Sequence, residues 1–454
     1  MRHPINIAVL NDTVGVPVSS DGVMGLFMKA VAIPGTFDFG TAYLLSKIED
    51  LLPLGVTAAY DTSNNTAVYF QVQRFYAKAG AGALLWLFAV DSTTSFASFV
   101  ASDLFKSFIR FTAQADFNNR VKMIAFGYDL PLATQNNTDF PADVIATLTA
   151  MKAVQLSLFN EGSQFSYIVD GYNMRSNANI AALATMADKA CYSGSLCITG
   201  TKPNGVSDVG GALGRFARIS IGHGFGAVED GSQSDEAYLT SCVQISPSGT
   251  LTVGKTYTVY GAPVLYNGLS YNVKQSFVAV VGFTVFTTLA GGTVVESLKS
   301  IDVLSPSDID SLGLKQFLFY RKWNARSGYF WNDGATCEDP AKQLSTQEYN
   351  RVANYLSAAA LSFFIDQIGK NLPVDVKTGS VESTYLNAKQ TQFYNQYIQP
   401  LNQNSGNTGD LSGGSLLLFA PNFNSTKTMN FKIFIVPTPI LGTVSGTIQF
   451  SQII

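Results

Sequence analysis

The sequence predicts a chain of α/β plus α+β class, and two observations predict it. Between about 40 and 220, helical periods alternate with short apolar strands, the texture of a parallel sheet covered by helices. From about 243 to 296 the residues are almost all of β type, and helices resume after 300, which marks an inserted all-β module followed by an α+β part.

Taken in order, INIAVLN alternates Ile5, Ile7 and Val9 with Asn6 and Ala8, a period of two that reads as a short strand. A Gly/Pro/Ser-rich turn region, 14–24, follows. AVYFQVQRFYAKAG (67–80) lines Val68, Val72, Phe75, Tyr76 and Ala79 along one helical face, and GALLWLFAV (82–90) reads as a buried strand. The unit repeats three times: helix 102–115 with strand 121–129, helix 142–160 with strand 165–171, and helix 178–190 with strand 195–200. In the β module, Asn267-Gly268 between Tyr266 and Tyr271 is a hairpin signal. Beyond it, Ser345 and Glu348 have capping-box spacing before a helix over 346–369. A second helix is expected at 380–400, a polar loop at 402–414, and closing strands at 415–421, 429–437 and 446–454.

Charged residues make up only 13% of the 454, against roughly a quarter in ordinary domains. Such a surface is easy to desolvate and suits a protein packed against copies of itself. Net charge is −3, with no long basic run, so the footprint of nucleic-acid binding is missing. The N-terminal residues show no signal-peptide pattern, and the apolar runs, such as ALLWLFAV, are too short to span a bilayer. Cys191, Cys197, Cys242 and Cys337 form neither a disulfide framework nor a paired zinc motif.

GTLTVGKT (249–256) spells the phosphate loop of many nucleotide enzymes. That chemistry needs a helix beginning at Lys255-Thr256, so that backbone N–H groups wrap the phosphates. The residues that follow, YTVYG, alternate as a strand does, and a turn between strands is the better reading. His3 and His223 lie in a terminal arm and a glycine-rich turn, without nucleophile signatures around them. The acidic pairs Glu229-Asp230, Asp235-Glu236 and Glu338-Asp339 sit in polar loops, where solvated charge is the default. No catalytic, cofactor-binding or metal residue is expected. Apolar strands at both ends of a charge-poor chain suggest arms that add to a neighbour's sheet edge.

Several stretches resemble the tail sheath proteins of contractile phages and related injection machines. AVYFQVQRFYAKAGAGALLWLFAV (67–90), DFNNRVKMIAFGYD (116–129) and QFSYIVDG (164–171) are similar to the family's α/β region. KQFLFYRKWNARSGYFWNDGAT (315–336) and EYNRVANYLSAAALSFFIDQIG (348–369), with Arg351, resemble its strand pair and Arg-bearing helix. FKIFIVPTPILGTVSGTIQF (431–450) resembles its closing strands. The β module at 243–296 has no counterpart in the family's shared core.

The resemblance implies a non-enzymatic subunit of a helical cylinder around an inner tail tube, contracting to drive the tube through a target envelope. The implied domains are an N-terminal arm (1–24), an outer α/β domain (25–242), the β module (243–297), an inner C-terminal domain (298–430) and a C-terminal arm (431–454). Ile5, Ile7, Val9, Phe431, Ile433, Ile435, Ile448 and Phe450 are the expected inter-subunit strand residues. Expected partners are further copies of the chain, the tube protein, and the baseplate and terminator proteins, with no nucleic acid, membrane or cofactor. The implied location is the virion tail, assembled in the host cytoplasm. A cytoplasmic α/β nucleotide enzyme using the GTLTVGKT loop is the alternative.

Overall fold

The computed structural model describes residues 6–9, 23–64, 66–114, 121–127, 142–170, 190–193, 196–199, 202–207, 209–218, 239–245, 250–254, 256–260, 263–272, 275–288, 293–300, 318, 320–321, 330–331, 334–336, 345–365, 367–402, 409–420 and 423–437. The chain divides into two compact units, Met1–Ser362 and Phe363–Ile454.

The first unit is built on a seven-stranded sheet. Its strands are β1 (Asn6–Val9), β2 (Met24–Ala30), β3 (Thr41–Leu45), β4 (Leu85–Asp91), β5 (Met123–Gly127), β6 (Ser166–Asp170) and β7 (Ala190–Ser193), in the order β1-β3-β4-β2-β5-β6-β7. β4, β2, β5, β6 and β7 run parallel, whereas β3 is antiparallel to β4 and carries β1 parallel to itself. The expected parallel sheet is therefore mixed at one edge. Its central strand, β2, was hidden in the sequence behind the Gly/Pro/Ser-rich stretch.

Helices cover both faces. On one side α2 (Val68–Ala79) packs with α6 (Val209–Arg218) over Leu26, Met28, Leu87 and Ala125. On the other, α3 (Phe96–Ala101), α4 (Asp103–Gln114) and α5 (Ala142–Asn160) pack over Phe27, Phe88, Ile124 and Phe126. Phe27 sits at the centre of five rings, those of Phe88, Phe99, Phe105, Phe108 and Phe126, at 5.3–5.6 Å. α2 and α6 approach so closely that a Cβ on Gly210 would lie 2.0 Å from the Gln71 carbonyl oxygen, and one on Gly214 2.3 Å from that of Phe75. The four-residue spacing of these glycines puts both on the face that meets α2.

The N-terminus of α2 is capped from the preceding helix, α1 (Ala58–Asn64). The Asp61 carboxylate accepts from Phe70 N at 2.9 Å and Thr66 Oγ1 at 2.9 Å. Burial nevertheless dominates these bonds and pushes Asp61 up to about 6.

The helix expected at 178–190 lies outside the described residues up to 189, and Ala190 already belongs to β7. SLCITG does not continue the parallel sheet. Its strand β8 (Leu196–Thr199) follows β7 after two residues, too few for a parallel crossover. It enters a second, antiparallel sheet with β9 (Lys202–Ser207), β10 (Leu239–Ile245), β11 (Thr256–Tyr260), β14 (Ser276–Val278) and β16 (Thr293–Ser300), ordered β14-β11-β16-β10-β8-β9. β12 (Val264–Tyr266), β13 (Leu269–Tyr271) and β15 (Thr287–Thr288) form a three-stranded sheet. Its turn is the expected one, with Asn267 at φ 50 and Gly268 at φ 71, the two positive values of a type I′ hairpin.

The strand pair of the sheath resemblance is β17 (Tyr320–Arg321) against β18 (Phe330–Trp331). The helix after it, α7, spans Gln347–Ile365. Arg351 is buried and donates to the Phe216 carbonyl oxygen at 2.9 Å, with its guanidinium 5.5 Å from the Phe216 ring. Asn354 donates to Ser166 Oγ at 3.1 Å, so α7 is tied to both α6 and β6.

The second unit contains α8 (Ser383–Phe393), a π-turn over Tyr394–Ile398, β19 (Leu411–Phe419), a short α9 (Phe423–Thr426) and β20 (Asn430–Pro437). Its core is aromatic: Phe363, Phe364, Phe393, Tyr397 and Phe431 make a chain of ring contacts. β19 begins inside the expected polar loop, because Gly413 and Gly414 hide strand geometry from a propensity reading.

Candidate functional site

The sheet edges are the candidate site. β19 and β20 pair antiparallel with Phe431 opposite Leu418, Ile433 opposite Leu416 and Ile435 opposite Gly414. Opposed residues share a face. This face turns toward the unit's own helices: Leu416 and Leu418 are buried, Phe431 stacks on Phe364 at 5.3 Å, and a Cβ on Gly414 would sit 3.1 Å from Ile398 Cγ2. Leu418 N donates to Gln390 Oε1 at 2.7 Å on α8.

The other face points to solvent. It carries Leu417, Phe434 and Val436, which are 45%, 54% and 58% exposed. Among the described residues no strand lies on the outer edge of β20. Edges are usually guarded by charge or proline. Here Lys432 and the terminal Pro437 are the guards, and the rest of the strand is Asn430, Phe431, Ile433, Phe434, Ile435 and Val436.

The other expected strand residues are placed as follows. Ile7 and Val9 lie in β1, opposite Ala42 and Leu44 at one edge of the large sheet. Ile5, Ile448 and Phe450 lie outside the described residues. β1 and β20 thus pair within the chain on one edge, and each has its second edge without a strand among the described residues. Leu417, Phe434 and Val436 were not singled out in the sequence, because Ile433–Val436 is apolar in both phases and alternation alone selects neither face.

The nucleotide loop fails on geometry. Lys255 lies outside the described residues, and Thr256 opens β11, not a helix. The helix N-terminus that would hold phosphates is replaced by a strand. Of the cysteines, Cys191, Cys197 and Cys242 lie in strands β7, β8 and β10. Among the described residues no group of His, Cys, Asp and Glu is arranged to hold a metal.

The family model described as DUF2586, N-terminal domain, matches residues 3–250. No curated protein matches the chain. Solved structures share its fold over nearly the full length. A chain of the anti-feeding prophage baseplate matches with a TM-score of 0.55 at 10% identity, covering 98% of this chain and 96% of that one. The helical sheath of the same particle in its contracted state gives 0.51 at 10% identity, covering 97% of each. The contracted sheath complex of PVC, an extracellular contractile injection system, gives 0.50 at 10%, covering 97% and 95%.

Proposed function

The chain belongs to the DUF2586 family, and from that premise and the sheath fold we propose that it is a structural sheath subunit. It polymerises into a helical contractile cylinder around an inner tube and drives the tube through a target envelope on contraction. The observation that carries this reading is the apolar outer edge of β20, which can take a further strand by main-chain hydrogen bonds.

An added strand gains roughly 0.5–1.5 kcal/mol per hydrogen bond and roughly 1.5–3 kcal/mol per apolar side chain fully buried. Several kcal/mol per contact, repeated along a lattice, makes the linkage lasting. A head-to-tail contact of this kind does not close on itself and generates a helix. The proposed donors in other copies are residues 446–454 and residues 1–10, the latter through the edge of β1 that faces away from β3, with the tube protein, baseplate and terminator as the proposed further partners. No reacting group is required: the work comes from rearranging a metastable lattice.

Purified full-length protein is expected to form long tubes by negative-stain electron microscopy, without nucleotide. Deleting 1–10 or 446–454 is expected to leave folded subunits that build no cylinders. Small oligomers from the intact chain, or tubes of normal length from either truncation, would overturn the reading.

A further inference from the structure

β19 and β20 share a face that packs on the unit's own helices, yet the two strands are covered unequally. On β19, Leu416 and Leu418 are 6% and 4% exposed. Opposite them on β20, Ile433 is only half-buried and Phe431 is 42% exposed, and Ile435 is half-buried as well. The inward face is complete along β19 and incomplete along β20, on the side where no strand follows among the described residues. A further strand there, with apolar side chains on the inward face, would complete both the hydrogen-bond ladder and the apolar layer.

The sequence that follows β20 has the pattern such a strand needs. Residues 438–454 lie outside the described residues. Thr438, Pro439, Gly442 and Ser445 come first, and Pro, Gly and Ser are turn formers. Beyond them Ile448 and Phe450 alternate with Thr447, Gln449 and Ser451, which at the period of a strand gives one apolar face and one polar face. The connector 438–445 can reach about 26 Å when extended, and the next strand position lies about 5 Å from β20. The connector is therefore long enough to turn the chain back. β1 is not a rival for this edge within the chain, because it is already paired with β3.

We propose that in the free subunit residues 446–454 fold back onto the open edge of β20, and that assembly exchanges this strand for the same segment of another copy. An antiparallel return with residue 446 opposite Pro437 puts Ile448 opposite Ile435 and Phe450 opposite Ile433, on the inward face, and leaves Thr447 and Gln449 toward solvent. The inference rests on the sheath reading and adds the state of the edge before assembly. Concentration decides the competition. A strand on a short linker meets its own edge at an effective concentration in the millimolar range, far above that of other copies in dilute solution. The home strand therefore holds the edge until copies are fixed side by side in a growing lattice. The exchanged strand makes the same hydrogen bonds in either molecule, which makes the swap a low-cost route to an open-ended assembly. A covered edge also keeps free subunits from pairing out of register.

Fluorescence anisotropy with a labelled synthetic peptide of residues 444–454 tests it, on full-length subunit diluted below tube formation. Ile448→Ser with Phe450→Ser in the full chain weakens the home strand. That variant is expected to bind the wild-type peptide at least about tenfold more tightly than the unsubstituted chain does. Deleting 446–454 is expected to give the same gain and stands in should the substituted chain fail to fold. Equal affinity of the intact, substituted and truncated chains overturns the proposal and leaves the docking of a neighbour's strand on β20 in place. Peptide binding by none of the three overturns both the fold-back and the use of 446–454 as a lattice donor.

Discussion

Every residue of β2 is buried, whereas none of β20 is, although both strands are mostly apolar. β2 is paired on both edges, by β4 and β5, and covered by helices on both faces. β20 has one strand partner, and one of its faces looks outward. An apolar strand that is satisfied within its own chain stabilises the subunit. One that is half satisfied leaves burial free energy for another molecule. The two regions therefore answer mutation differently, and the difference can be measured.

Phe27→Ala empties the centre of the five-ring cluster and is expected to cost about 3–5 kcal/mol, read by urea unfolding of the isolated subunit. A loss below about 1 kcal/mol would mean that the sheet is not the rigid half of the molecule. Gly214→Ala comes next, at about 1–3 kcal/mol. Its Cβ meets a backbone carbonyl that no side-chain rotation can move aside. Ala212→Gly on the same helix is the control, with a cost near the roughly 1 kcal/mol of helix propensity and lost contact.

What the sequence made legible follows the same division. α2 and α4 stand where their periodicity puts them, because one face of each meets the sheet and the other does not, and α5 fills the helix expected at 142–160 from the repeat of the helix–strand unit. The Asn267-Gly268 turn was legible because only such residues accept two positive φ values. β2 was not, since MGLFMKA is buried on both faces and has no alternation. α6 was not either, since VGGALGRFAR reads as a helix breaker by propensity, while its glycines serve close packing against α2. The signal that would have found α6 is the Gly210/Gly214 spacing in phase with Leu213 and Phe216. At the candidate site, the presence of an apolar C-terminal strand was legible and its outward face was not. That face is set by which side chains the unit's aromatic core absorbs, and Phe364 and Phe393 are remote from β20 in sequence.

A smaller effect sharpens the rigid half. Asp61 is held at about 6, above the ordinary carboxylate value, so the folded state binds its proton more tightly than the unfolded state does. The stabilising contribution is full below the unfolded value near 4 and is lost as pH rises through 6. The melting temperature is thus expected to fall between pH 5 and pH 7 by a margin that Asp61→Asn removes, on the order of 1 kcal/mol. An identical pH profile in the variant would show that the α2 cap does not titrate in this range.

The smallest expected effect on the subunit is the one that separates the two halves most sharply. Phe434→Ser with Val436→Ser changes side chains that are more than half exposed, so subunit stability should stay within about 0.5 kcal/mol of wild type. The same pair should suppress tube formation, because two apolar groups that would be buried between copies are worth roughly 1.5–3 kcal/mol each, and 3 kcal/mol is already more than a hundredfold in a contact's equilibrium constant. Ile433→Ser, one position away, faces the unit's own helices and should instead lower the melting temperature. If the double variant melts early, the outward face belongs to the fold. If it melts normally and still builds tubes, the neighbouring copy docks elsewhere, and the comparison between a closed sheet and an open hairpin loses its functional half.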